Sequence, residues 1–252
     1  MRLTVIGCSG SYPGPESPAS CYLVEAPLGD GVFRLLLDLG SGALGALQRH
    51  VPLEAVDAVA LSHLHADHCL DLCGFYVYRK YHPDGALPRL PVHGPPGAAR
   101  RLARAYDLDE QVGMTGEFDF VTYPAGPFAL GPFTVSAHSV DHPQPAFALR
   151  VEHAGRTLVF TGDSGPGERL DRAAAGCDLL LAEASFVEGA DNPADLHLTG
   201  REAGEVATRA GAGRLVLTHI PPWYHPEVAQ AEARESFAGE LHVARPGAVF
   251  EV

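Results

Sequence analysis

A chain of 252 residues, 46% hydrophobic and 19% charged, is long enough for one large α/β domain with a sizeable core. Its formal net charge is −13, and of its 18 basic residues only Lys80 is a lysine. Broad, sequence-independent nucleic-acid binding depends on neutralising phosphates, which an acidic surface does not suit, while a small phosphorylated substrate drawn in by a local cation is not excluded. The cysteines, Cys8, Cys21, Cys69, Cys73 and Cys177, are odd in number and form no C-x-x-C pair. They imply no disulfide framework and suit a reducing cytoplasm. No apolar run approaches a membrane span, and residues 1–7 lead into a strand pattern with no signal-peptide character.

In chain order, residues 3–7 predict a strand, and residues 8–20, rich in Gly, Ser and Pro, a loop. Strands follow at 21–26 and 32–38. The run Leu35-Leu36-Leu37 ends on Asp38 and turns on Gly40 and Gly42. Asp38 is placed either to orient a neighbouring histidine or to cap the helix predicted over 43–49. Residues 56–61 read as a buried strand that delivers Ser62-His63-Leu64-His65-Ala66-Asp67-His68, and a helix begins near 67. Tyr76, Tyr78, Arg79, Lys80, Tyr81 and His82 then form an aromatic and basic cluster, either a solvated face or a substrate wall. A strand at 90–93 and a helix over 98–106 follow, then strands at 118–123, 128–130 and 133–138 and a hairpin of 146–152 with 157–161. Strands at 179–183 and 214–218 alternate with helices over 168–175, 201–210 and 227–238, and strands at 241–243 and 248–252 close the chain. There is no repeat and no low-complexity linker, so residues 1–252 read as one α/β domain of two face-to-face sheets with helices outside.

The heptapeptide carries three imidazoles and a carboxylate within six residues, ligand types that Zn²⁺ prefers and that are costly to bury unpaired. It cannot close a site alone. His142, Asp163 and His219 each stand at a predicted strand end, and His197 lies just ahead of a helix. Singly, each histidine is more often a satisfied or exposed side chain, and Asp163 is placed to cap a turn. Together His63, His65, Asp67, His68, His142, Asp163 and His219 supply the donors two metals need, with Asp163 bridging, and such a pair clamps a phosphoryl or acyl oxygen. His138, inside a strand pattern, is the weaker candidate beside His142; His50, His82, His153 and His242 read as surface residues. His225 and the Trp223-Tyr224 pair are placed to stack a purine base at the site mouth, with core packing or a lid loop as the alternatives for the aromatics.

This combination of the heptapeptide with Asp38-Leu39-Gly40, Gly162-Asp163 and Leu217-Thr218-His219 resembles the metallo-β-lactamase superfamily over essentially the whole chain. The resemblance implies a four-layer αββα sandwich of two mixed β-sheets. His93-Gly94-Pro95-Pro96-Gly97, Glu183-Ala184-Ser185-Phe186 and His197-Leu198-Thr199 narrow it to the ribonuclease Z-like branch, whose members are phosphodiesterases. It implies one Zn²⁺ on His63, His65, His142 and Asp163 and a second on Asp67, His68, Asp163 and His219, with Mn²⁺ or Fe²⁺ as alternatives. Asp67 would also contact the nucleophilic water, and His197, paired with Glu183, would protonate the leaving oxygen. The pattern departs from the transfer-RNA-processing members: it has no glycine- and lysine-rich arm, and Ile220-Pro221-Pro222-Trp223-Tyr224 follows His219. Gly7-Cys8-Ser9-Gly10-Ser11 and Cys69-Leu70-Asp71-Leu72 look more like bacterial cyclic-nucleotide phosphodiesterases. The expectation is therefore hydrolysis of a 3′,5′-cyclic nucleotide by a metal-bound hydroxide, in a protein whose relatives are often homodimers. The alternatives are a tRNA 3′-processing endonuclease, a metallo-hydrolase of another ester class, and a metal sensor without turnover.

Overall fold

The computed structural model describes residues 1–252. In chain order its elements are β1 (Arg2–Gly7), β2 (Cys21–Leu28), β3 (Gly31–Leu37), α1 (Ala43–Leu47), β4 (Ala58–Ala60), α2 (Ala66–Cys69), α3 (Leu72–Lys80), β5 (Leu90–Gly94), α4 (Ala98–Ala105), β6 (Phe118–Thr122), β7 (Phe128–Leu130), β8 (Phe133–Ser139), β9 (Phe147–His153), β10 (Arg156–Phe160), α5 (Glu168–Ala174), β11 (Leu179–Glu183), α6 (Gly200–Ala210), β12 (Arg214–Thr218), α7 (Pro226–Ser236), β13 (Glu240–Val243) and β14 (Val249–Glu251).

The strands form two seven-stranded sheets, ordered β14-β1-β2-β3-β4-β5-β6 and β13-β12-β11-β10-β9-β8-β7. Both are mixed. In the first, β14, β1, β2 and β3 run antiparallel, and β3 to β6 run parallel. In the second, β7 to β10 run antiparallel, and β10 to β13 run parallel.

Strand periodicity sorts the apolar residues into three layers. Leu35 and Leu37 of β3 enter the layer between the sheets, where they join Tyr22, Phe133, Phe160 and Val216, while Leu36 packs outward with Leu47, Phe75 and Leu102. On the second sheet Leu179 and Leu181 face inward, and Leu180 and Ala182 pack against Leu170, Val206 and Ala233 of the helices. Strands buried on both faces read as continuous apolar runs, which is why residues 35–37 and 179–182 show no alternation. The result is the four-layer αββα sandwich. One polar tie crosses its centre: the Tyr22 hydroxyl lies 2.7 Å from Thr218 Oγ1 at the end of β12.

Several expectations are corrected. The helix expected from residue 67 is two short helices, α2 and α3, and the strand before the heptapeptide is only Ala58–Ala60. The aromatic and basic cluster is divided: Lys80 and Tyr81 face solvent, whereas Tyr76 and Arg79 are buried. Arg79 is buried, lies over the Phe75 ring at 5.4 Å, and donates to the carbonyls of Glu117 and Pro88, bracketing α3 to the chain around β5 and β6. Lys80 Nζ donates to the Tyr76 hydroxyl. Of the four histidines expected at the surface, His50 is exposed, and His82, His153 and His242 are partly exposed. No helix is long and apolar enough to cross a membrane.

Candidate metal centre

All the singled-out donors converge where strands of both sheets end. The first sheet contributes residues 62–68, between β4 and α2, and Asp38, just past β3. The second contributes His142 from the β8–β9 connection, Asp163 after β10, Glu183 closing β11, and His219 after β12. Local sequence shapes these ends. Asp38 and His219 both hold left-handed backbone, at φ 59° and 54°, strained conformations for residues other than glycine. A Cβ on Gly40 would lie 1.8 Å from the Asp67 carbonyl oxygen, so only glycine lets the heptapeptide loop close against the end of β3. Thr199 caps α6 through a capping box with Glu202, which fixes the chain two residues after His197.

The donor atoms fall into groups whose members lie within 4.8 Å of one another: His63, His65, His142 and Asp163; Asp67, His68 and His219; and Asp163, His197 and His219. Asp163 joins them. Its Oδ1 lies 3.2 Å from His68 Nε2 and 3.5 Å from His219 Nε2, and its Oδ2 lies 3.7 Å from His63 Nε2. Asp67 Oδ2 lies 3.1 Å from His219 Nε2.

His68, His142 and His219 are each held from behind by one ring nitrogen. Asp38 Oδ2 takes His68 Nδ1 at 2.6 Å, the Leu196 carbonyl takes His142 Nδ1 at 3.2 Å, and Ser185 Oγ sits 2.8 Å from His219 Nδ1. This decides between the two readings of Asp38: it orients His68, whereas α1 has no side-chain cap and its Leu44 N–H donates to Asp71 instead. The free nitrogens then crowd together. His63 Nε2 lies 2.9 Å from His65 Nδ1, His65 Nδ1 lies 3.3 Å from His142 Nε2, and His68 Nε2 lies 3.0 Å from His219 Nε2. Lone pairs facing one another at such distances repel unless a cation or proton lies between them.

Asp163 Oδ1 is buried with no hydrogen-bond partner, a costly state that a cation would relieve. Burial favours the neutral, ligand-competent form of His63, His65 and His142. Burial opposes charge on Asp67, but the His219 and His68 imidazoles beside it hold it well below the usual carboxylate range. The donor set therefore fits two divalent cations, the first on His63, His65, His142 and Asp163 and the second on Asp67, His68 and His219, with Asp163 reaching both. Cys69 donates to the His65 carbonyl, Cys73 stands apart, and His138 joins no donor group.

His197 is held differently. Its Nδ1 lies 2.9 and 3.1 Å from the two oxygens of fully buried Glu183, leaving Nε2 free. Burial lowers its pKa, but the Glu183 charge and hydrogen bond outweigh this and raise it to about 9. A cavity of about 770 Å³ lined by His142, Asp141, Arg169 and Asp195 opens beside the first donor group. His197 and Phe186 line another, of about 330 Å³. On the other flank, Trp223 is 58% exposed and packs at 5.3 Å on Tyr12, whose loop is pinned to the chain after His219 by Gly10 N–H donating to Ile220.

Sequence reasoning missed Ser62 and Ser185. A signal existed for Ser185: it stands two residues after Glu183 on extended chain, hence on the same side.

Known proteins match this chain throughout. A family model described as a β-lactamase superfamily domain matches residues 33–220. An uncharacterized protein of Mycobacterium tuberculosis is 42% identical over 100% of this chain and 92% of its own. The Bacillus subtilis protein named probable metallo-hydrolase YhfI is 32% identical over 100% of both chains. Its crystal structure, described as a metallo-β-lactamase fold protein, superposes with a TM-score of 0.88 at 31% identity, covering 100% of this chain and 99% of that one. A ribonuclease Z of Mycolicibacterium gilvum is 31% identical over 90% of this chain and 86% of its own.

Proposed function

This chain belongs to the β-lactamase superfamily as a metallo-hydrolase related to ribonuclease Z, and from that premise we propose that it is a dinuclear-metal phosphodiesterase acting on 3′,5′-cyclic nucleotides. Both sheets supply donors, so residues 1–252 act as one catalytic domain. Zn²⁺ suits the imidazole and carboxylate donors, with Mn²⁺ or Fe²⁺ as alternatives set by availability. Two such cations supply Lewis-acid charge for a phosphoryl oxygen and an activated water.

The residues do the rest. Asp67, low in pKa and beside His219, orients the attacking water by accepting its hydrogen bond. Nδ1–H of His197 donates to Glu183, whose charge favours the doubly protonated ring; that ring holds its second proton at Nε2 and delivers it to the departing ribose oxygen. Glu183 keeps that imidazole oriented and charged through neutrality. Tyr12 and Trp223 present an aromatic surface to the base.

The observation that carries this reading is the Glu183-backed imidazole standing in a donor group with Asp163 and His219. A metal sensor needs the ligands but no proton donor beside them. The test is hydrolysis of cyclic AMP by metal-analysed protein. His63→Ala and Asp163→Ala should lose metal and turnover together, whereas His197→Ala should keep both metals and lose rate. Full activity in metal-free His63→Ala would sink the proposal.

The similarity to ribonuclease Z favours one other reading, an RNA 3′-endonuclease using the same groups. Pre-tRNA and cyclic AMP, incubated side by side, separate the two. The net charge of −13 and the single lysine favour the small substrate. We place the protein in the reducing cytoplasm, in keeping with its five free cysteines, as a homodimer whose mass light scattering would report.

A further inference from the structure

The hydrogen bonds behind the imidazoles repeat on the two sheets. On the first, buried Asp38 takes His68 Nδ1 directly at 2.6 Å and Ser62 Oγ at 2.8 Å, and Ser62 Oγ lies 3.1 Å from His63 Nδ1. On the second, buried Glu183 takes His197 Nδ1 directly at 2.9 Å and Ser185 Oγ at 2.6 Å, and Ser185 Oγ lies 2.8 Å from His219 Nδ1. Each carboxylate thus anchors one imidazole by itself and a second through a serine.

A hydroxyl has one proton to give. Ser62 gives its proton to Asp38. Ser185 has two oxygen acceptors, Glu183 Oε2 and the His219 carbonyl at 2.8 Å, and gives its proton to one of them. In every case Oγ is left to accept from the ring. The hydrogen of His63 and of His219 must then reside on Nδ1, and the Nε2 lone pair must face the donor group. Without the hydroxyl, both tautomers are open and the ring is free to turn. His142 differs, since its Nδ1 is anchored by a backbone carbonyl that no side-chain substitution removes.

We propose that Ser62 and Ser185 are positioning residues that relay a buried carboxylate to one metal-ligand imidazole each, and that they govern different ions. Ser62 acts on the ion held by His63, and Ser185 on the ion held by His219; this rests on the ligand sets proposed above. The relays also divide the work of Glu183: its direct bond serves the proton donor, and its serine branch serves a ligand.

The test combines Zn²⁺ titration of metal-free protein with long-range ¹H–¹⁵N NMR of the ring nitrogens. His142→Ala and Asp67→Ala assign the two binding steps. Ser185→Ala should weaken the second step by about 10–100-fold and spare the first, and Ser62→Ala should do the reverse. The Nδ1–H signature of His219, or of His63, should disappear with its own serine. Ser185→Thr, which keeps the hydroxyl, should restore both readouts. Alanine variants that keep the wild-type tautomers, or that weaken the same step, overturn the relay. If Ser185→Ala does not fold, Ser185→Cys decides: a weaker hydrogen-bonding group should weaken the second step, and wild-type affinity there overturns the proposal. The tautomer readout needs no metal. A wild-type protein that takes up fewer than two ions therefore counts against the ligand sets, while the NMR still judges the relay.

Discussion

His197 shows how one neighbour decides the chemistry of a side chain. Burial alone would leave its imidazole neutral at physiological pH, and Glu183 reverses that, to about 9. A proton donor works only while protonated, so the rate should fall as pH rises through its pKa. His197→Asn should remove this alkaline limb and cost about 10²–10⁴-fold in kcat. Glu183→Gln keeps the shape but removes the charge, leaving burial to dominate, so the limb should move to lower pH. A pH–rate profile of the three proteins checks both statements; an unmoved limb in Glu183→Gln would refute the assignment. On the flank, Trp223→Ala should raise KM for a cyclic nucleotide while leaving hydrolysis of a base-free phosphodiester unchanged, as steady-state kinetics on both substrates would report. Base–aromatic contacts are typically worth about 1–3 kcal/mol, so the rise should be about tenfold.

Elements place these residues by ending where they do. Gly40, in the turn after β3, lets the Asp67 carbonyl approach; Gly40→Ala would force the two apart. The expected cost is about 1–3 kcal/mol by denaturant unfolding, with loss of the second metal because Asp67 moves. Thr199→Ala should remove about 1 kcal/mol of capping from α6 and lower kcat with little change in metal content, since His197 lies two residues ahead of the cap. Element order was largely legible in the sequence, because fully buried strands read as apolar runs and Gly-Pro turns mark their limits. So was the gathering of His142, Asp163 and His219, since ligand-type residues directly after apolar strands have few other reasons to be there. What escaped depended on distant partners. Arg79 looks solvent-facing until the carbonyls of Pro88 and Glu117 arrive from other segments. Ser62 and Ser185 look ordinary until buried carboxylates stand beside them. Asp38 was open between two roles because both need only a short acidic side chain at a strand end.

At the scale of the whole molecule, stability rests on the apolar layer between the sheets, where Tyr22 and Phe160 pack at 5.0 Å. Phe160→Ala should cost about 3–5 kcal/mol by chemical denaturation. The Tyr22–Thr218 bond ties the sheets just beneath His219. Tyr22→Phe strands a buried hydroxyl and should cost about 1–3 kcal/mol. The donors themselves come from both sheets, and this has a mechanical consequence. Ions seated among them would form a clasp across the mouth of the sandwich, at the rim where backbone pairing stops. Removing them should let the two rims fray independently, each as its own cooperative unit. Amide hydrogen exchange would then accelerate together at residues 37–40 and 161–164 on chelation and slow together on metal return, while the strand centres at Val59 and Val159 stay protected.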